Sequence, residues 1–139
     1  MSQREEVVVA LSPMTERPLL EDQKRTPAVT EAIAKLHTET LEEIKSAISK
    51  DDVVVVGMAQ NPHVRNVKKA FLEASIPHTY LEYGSYFSEW RRRLAIKMWS
   101  GWPTFPQVFV KGVLIGGEDN TKAALADGSL QKRLEGPRS

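Results

Sequence analysis

The sequence predicts an α/β fold in which helices flank a four-stranded mixed central sheet, preceded by an N-terminal extension. Residues 53–56 are consecutive valines, a β-branched run typical of a strand that is buried on both faces. A helical stretch and a second strand-like stretch at residues 78–83 follow, and this order favours a parallel pair with a right-handed crossover. Two further strands, 107–111 and 113–115, meet at Lys111-Gly112, which suits a tight hairpin. Half of the sheet is therefore expected to be parallel and half antiparallel.

The composition is that of an ordinary globular domain. The chain has 139 residues, 41% hydrophobic and 27% charged, which is enough to bury one core. A net charge of +1 provides no field to attract nucleic acid or an acidic membrane surface. The longest apolar stretch is far shorter than the roughly 20 residues of a membrane span, and the first residues do not resemble a signal peptide. We therefore expect a cytoplasmic protein with no nucleic-acid or membrane partner.

Residues 1–37 are expected to form the extension and residues 38–139 the main domain. Within the extension, residues 7–11 are a candidate edge strand. Thr26-Pro27 combines a capping hydroxyl with a proline in the first turn, which predicts a helix start. Thr40 and Glu43 then match a capping box, so residues 27–50 are expected to hold two short helices or one broken helix.

Three more helices are predicted in the main domain. One begins after Asn61-Pro62 and ends near residue 75, and another spans residues 86–99. The last begins at Asp119-Asn120 and ends at Gly128, with a further turn or two at residues 130–134. The apolar residues expected to turn the first of these helices toward the core are Val64, Val67, Phe71 and Leu72.

Two short segments carry the most specific signal: Trp-Pro-Thr-Phe-Pro-Gln at residues 102–107 and Gly-Gly-Glu-Asp at residues 116–119. Together with the order of elements over residues 38–135, they resemble the glutaredoxin branch of the thioredoxin fold, and the monothiol glutaredoxins in particular. That family works through a cysteine, and this chain has none. Because the thiolate is the nucleophile of thiol-disulfide exchange, the resemblance implies the fold without supplying the attacking atom.

The family's active-site tetrad falls on residues 61–64, which places Asn61 at the nucleophile position. Asparagine cannot attack a disulfide or ligate an iron-sulfur cluster as a thiolate does. The family's lysine three residues earlier is replaced by Met58. We therefore expect neither glutathione-dependent disulfide reduction nor cluster binding, no catalytic residue and no metal site.

The resemblance also implies a glutathione groove that needs no cysteine. In the family Pro106 would be a cis proline, and the backbone of Phe105 would pair with the main chain of glutathione. Arg93 would meet a carboxylate, and the start of the last helix would receive the glutamyl end. The residues expected to line the groove are Asn61, Arg93, Lys97, Thr104, Phe105, Pro106, Gly117, Glu118 and Asp119.

Plainer interpretations of these residues stay open. Asn61-Pro62 is a good helix cap in itself, and residues 91–93 form the kind of arginine run that usually faces solvent. His63 has no acidic or serine partner nearby in the sequence, which favours a solvent-facing side chain over proton transfer. The spacing of the three histidines does not match a metal site, and no nucleophile elbow of a serine hydrolase is present.

The sequence therefore predicts a glutaredoxin-like protein without a catalytic thiol. It would be redox-inactive and bind glutathione or a thiol-peptide non-covalently, glutathione being a ligand and not a cofactor. The alternative is a protein-interaction or regulatory module that uses the same fold without binding glutathione. A non-thiol enzyme is a third hypothesis, for which no group of residues argues.

Overall fold

A computed structural model describes residues 18–138, and the chain divides into two units, Met1–Lys35 and Leu36–Ser139. The first unit contains a 3-10 helix, Asp22–Lys24, and helix α1, Pro27–Ala34. As predicted, the hydroxyl of Thr26 caps α1 by accepting from the Val29 amide at 3.3 Å. The candidate edge strand at residues 7–11 lies outside the described residues.

The second unit is built on a four-stranded mixed sheet of order β2-β1-β3-β4. Strands β1 and β2 are parallel, whereas β1 with β3 and β3 with β4 are antiparallel. The predicted α/β fold is therefore confirmed. The elements in chain order are α2 (Thr38–Lys50), β1 (Val53–Gly57), α3 (Pro62–Glu73), β2 (Thr79–Glu82), α4 (Trp90–Ser100), β3 (Gln107–Val110), β4 (Val113–Gly116), α5 (Glu118–Asp127) and α6 (Ser129–Glu135).

Helices cover both faces of the sheet, which explains the run of valines in β1. Side chains of a strand alternate between the two faces. Val54 and Val56 accordingly pack with Ile44 of α2 and Ile96 of α4. Val53 and Val55 point to the opposite face of the sheet. There they pack in a second buried cluster with Val67 and Phe71 of α3, Val108 and Val110 of β3, and Leu130 of α6.

The predicted capping box at the start of α2 is wrong. The helix begins at Thr38 rather than after Thr40. Thr40 is buried inside the first turn, and its hydroxyl accepts a hydrogen bond from Nε of Arg92 at 2.8 Å. A contact with a residue far along the chain has therefore overridden the local capping signal.

Two further details differ from the prediction. Helix α4 begins at Trp90, four residues later than expected, because the preceding residues form a tight turn in which the Ser85 amide donates to Oγ of Ser88 at 3.1 Å. Val64, Val67 and Phe71 are buried as predicted, but Leu72 is 77% exposed.

Candidate functional site

Asn61 caps helix α3. Its Oδ1 accepts hydrogen bonds from the backbone amides of His63 at 2.8 Å and Val64 at 3.1 Å, and Pro62 follows at the first helical position. The side chain is buried. The capping interpretation is therefore confirmed, and two amides at the start of α3 are already paired within the chain.

The segment before β3 presents an unpaired piece of backbone. The Phe105–Pro106 peptide bond is cis, and β3 begins at Gln107. Within residues 18–138, neither the N–H nor the C=O of Phe105 makes a hydrogen bond. A main-chain donor and acceptor pair is therefore available to an extended ligand.

A cavity of about 240 Å³ lies beside this backbone. Most of the residues predicted to form the groove line it. The predicted residues that line it are Thr104, Phe105, Pro106, Gly117, Glu118 and Asp119. Three residues that were not predicted also line it: His63, Trp102 and Asn120. Wider clefts of about 430 and 360 Å³ lie elsewhere on the unit, and they contain none of the predicted site residues.

Gly117 and Trp102 shape one wall of the cavity. A Cβ on Gly117 would lie 3.4 Å from the carbonyl oxygen of Pro106 and 3.5 Å from Nε1 of Trp102. The Trp102 Nε1–H is buried and has no hydrogen-bond partner in the described part of the chain. Because a buried donor without a partner is costly, this N–H is a candidate contact for a ligand.

Arg93 and Lys97 differ in their relation to the cavity. Arg93 is buried, and its Nη1 donates to the backbone carbonyls of Tyr83 at 3.0 Å and Ser88 at 2.6 Å. It therefore fastens the turn before α4 to the helix, and the structure does not bring it to the cavity. The interpretation of Arg93 as part of a solvated face is wrong. Lys97 does not line the cavity either, but its Nζ lies 5.6 Å from the centroid of the Phe105 ring.

His63 forms a contact that the sequence analysis missed. Its Nδ1 lies 2.6 Å from Oε1 of Glu118. The Glu118 side chain is 12% exposed and that of His63 is 64% exposed, and Nζ of Lys122 lies 2.7 Å from Oε2 of Glu118. Hydrogen bonds from Lys122, His63 and Asn66 lower the pKa of Glu118 to about 2, so the carboxylate stays charged at neutral pH.

The solvent-facing side chain predicted for His63 is confirmed, since it is 64% exposed, but the sequence did not reveal its acidic partner. The partner is 55 positions away along the chain, and the fold brings the starts of α3 and α5 together. The available signal was that both residues fall within the segments that resemble the glutaredoxin active site.

Within residues 18–138, no group of three or more His, Cys, Asp or Glu side chains is arranged to hold a metal ion. None of the helices in this range has the length and apolar character needed to cross a membrane.

A glutaredoxin-like protein of Dictyostelium discoideum is 50% identical to this chain over 112 residues, covering 81% of the chain and 91% of the relative. This chain belongs to the glutaredoxin family. The mitochondrial monothiol glutaredoxin-S15 of Arabidopsis thaliana is 28% identical to this chain over 109 residues. The match covers 76% of this chain and 64% of the Arabidopsis protein. Among models of protein families, none matches the chain.

Solved structures agree on the fold. The glutaredoxin of the buckwheat glutaredoxin-glutathione complex superposes with a TM-score of 0.63 at 23% identity, covering 80% of this chain and 94% of its own. At this identity the likeness concerns the fold alone. The chain is therefore a glutaredoxin in fold and family that carries no cysteine and has Asn61 as the cap of α3.

Proposed function

We propose that this glutaredoxin binds glutathione or a thiol-peptide non-covalently and performs no thiol-disulfide exchange of its own. The observation that carries the proposal is the unpaired N–H and C=O of Phe105 beside the cavity. An extended peptide can add to such an edge as a short strand through main-chain hydrogen bonds. This mode of binding requires no thiol on the protein.

The start of α5 supplies a second set of donors. The amides of Glu118 and Asp119 stand in the first turn of this ten-residue helix and have no partner in the described chain. Free amides at a helix N-terminus favour a carboxylate, and glutathione carries one at its glutamyl end. The buckwheat glutaredoxin, solved as a glutathione complex, supports this choice of ligand.

The chemistry of Asn61 supports the absence of redox activity. Its side chain is a neutral amide whose oxygen is committed to two helix amides. Thiol-disulfide exchange needs an attacking thiolate, and the chain has no cysteine to provide one. In this account the sulfur of any reaction in the groove must come from the ligand.

An NMR titration of the isotope-labelled chain with glutathione tests the proposal. Saturable shifts of the Phe105, Glu118 and Asp119 amides are expected. Gly117→Val is the matched variant. The methyl groups of the valine would crowd the cavity wall near Trp102, so the variant should bind glutathione more weakly. The absence of shifts at these amides at millimolar glutathione would refute ligand binding.

A second candidate function, a protein-interaction module, is favoured by the outer face of α4. Trp90, Leu94 and Met98 are exposed on the helix at one residue per turn, and Phe87, in the turn before the helix, is 92% exposed. A helix that is apolar on its outer face as well as toward the core is usually covered.

The charges around residues 87, 90, 94 and 98, called here the apolar row, indicate what kind of partner would bind it. Helix α4 contains no acidic residue, and Arg91 and Lys97 flank the row. A second copy of the chain would bring like charges together, whereas an acidic amphipathic helix would complement both features. We propose such a helix as the occupant.

Calorimetry with a synthetic helical peptide of leucine and glutamate tests this second function. Binding to the parent chain and its loss in Leu94→Glu, with the glutathione titration unchanged, would support it. Equal binding by parent and variant would refute it. Binding to anionic vesicles but not to the peptide would assign the row to a membrane surface and overturn the proposal.

A further inference from the structure

The pair formed by His63 and Glu118 leaves one ring nitrogen unused. Nδ1 of His63 is held by the carboxylate, and the His63 backbone amide is held by Asn61. In the described residues, Nε2 of His63 makes no hydrogen bond, and His63 lines the same cavity as Phe105. A residue of the cavity wall therefore carries a ring nitrogen that has no hydrogen-bond partner among the described residues.

The partner of the imidazole suits it to accept a proton. When the Nδ1–H donates to a carboxylate, Nε2 is left unprotonated and can act as a base. The carboxylate then stabilises the imidazolium that forms. Lys122 hydrogen-bonds to Glu118, and the carboxylate of Asp119 also lines the cavity, so the groups facing His63 carry two negative charges and one positive charge.

Two other features of the cavity favour a thiolate. The start of α3, where His63 lies, is the positive end of a helix dipole, which stabilises a nearby anion. The unpartnered Nε1–H of Trp102 is a buried donor at the cavity wall. A sulfur anion in the cavity would therefore be stabilised by the protonated imidazole and by the positive end of the α3 dipole, against the negative charge of Asp119.

We propose that the His63–Glu118 pair takes the proton from the thiol of bound glutathione and thereby activates this sulfur toward electrophiles. The inference rests on the proposed function, since it requires the ligand to occupy the groove. The base of this reaction is Nε2 of His63, and Glu118 is the residue that positions it.

The substrate class follows from the chemistry of a glutathione thiolate. The thiol proton moves to Nε2, and the sulfur lone pair attacks an electrophilic carbon that bears a leaving group, such as that of an aryl halide. The carbon-sulfur bond forms first, with the electron pair taken up by the activated ring, and the carbon-halogen bond then breaks as the halide leaves with its bonding electrons. The imidazolium then returns its proton to water.

The absence of cysteine makes the thiol of the ligand directly measurable. Thiolate absorbance in the ultraviolet, followed against pH at saturating protein, reports only the sulfur of glutathione. We expect the pKa of the bound thiol to fall by about one unit, which is about tenfold more thiolate at neutral pH. The rate with chlorodinitrobenzene should rise by about threefold, because a thiolate of lower pKa is also a weaker nucleophile.

Two variants distinguish thiol activation from glutathione binding itself. His63→Gln, measured at its own saturating glutathione concentration, should raise the thiol pKa and lower the rate toward the values of free glutathione, whereas His78→Gln, in a different cleft, should keep the lowered pKa. Glutathione that binds the parent with the same thiol pKa as in His63→Gln would overturn the inference and leave the proposed function intact. Failure of the NMR titration would overturn both.

Discussion

Replacement of Asn61 by alanine tests whether this residue is a structural cap. The substitution removes the oxygen that accepts from the amides of His63 and Val64. The Val64 amide is buried, so water cannot replace the lost acceptor. We therefore expect a loss of stability at the upper end of the range for helix caps.

The size of the loss follows from two general values. Removing an N-cap costs about 0.5–2 kcal/mol, and leaving a buried donor unpaired costs about 1–3 kcal/mol. We expect the free energy of unfolding to fall by about 2 kcal/mol. For a domain of this size, that corresponds to a decrease in Tm of about 7–9 °C.

Urea unfolding followed by circular dichroism measures the effect. Asn61→Asp is the matched control, since it keeps an oxygen at the same place beside a helix N-terminus, and it should stay within about 0.5 kcal/mol of the parent. A loss below about 0.5 kcal/mol in Asn61→Ala would show that the capping bonds do not stabilise α3.

Two further predictions concern the elements around the cavity. The pKa of Glu118 is about 2 in the folded chain, against 4.5 as its ordinary value. The stability that this carboxylate contributes is thus present above about pH 4.5 and is lost as the pH falls toward 2. In acid unfolding, Glu118→Gln should lose less free energy of unfolding across this pH range than the parent does. An equal loss in both proteins would contradict the assignment. Gly116 has a φ of +118°, and a Cβ there would lie 2.4 Å from Oδ1 of Asn120. Gly116→Ala should destabilise the domain by more than about 1 kcal/mol in urea unfolding, whereas Gly117→Ala should cost less.

The sheet was predictable because its signals are local. The valine run of β1 needs helices on both faces, and Lys111-Gly112 occupies the turn between β3 and β4. Gly128, with a φ of +83°, ends α5 as expected. In each case the conformational preference of the segment agrees with its place in the fold.

The contacts that decide the site were not predictable in the same way. Thr40 matches a capping box, but Arg92 binds its hydroxyl. Arg93 was expected in the groove or in solvent, and two carbonyls hold it in the interior instead. His63 meets Glu118 only after α3 and α5 are placed side by side. The partners of Thr40 and His63 are 52 and 55 positions away, and those of Arg93 are backbone carbonyls outside its helix, so no local pattern predicts them.

Placing a thiol at position 61 tests most directly the claim that the groove persists without its nucleophile. Asn61→Cys would create the only cysteine of the chain, at a helix N-terminus that lowers the pKa of a thiol. The control is Leu72→Cys, an exposed position at the far end of α3. We expect glutathione-dependent reduction of a mixed disulfide by Asn61→Cys at a rate well above that of the parent or of Leu72→Cys. A folded Asn61→Cys protein that is no more active than Leu72→Cys would contradict it.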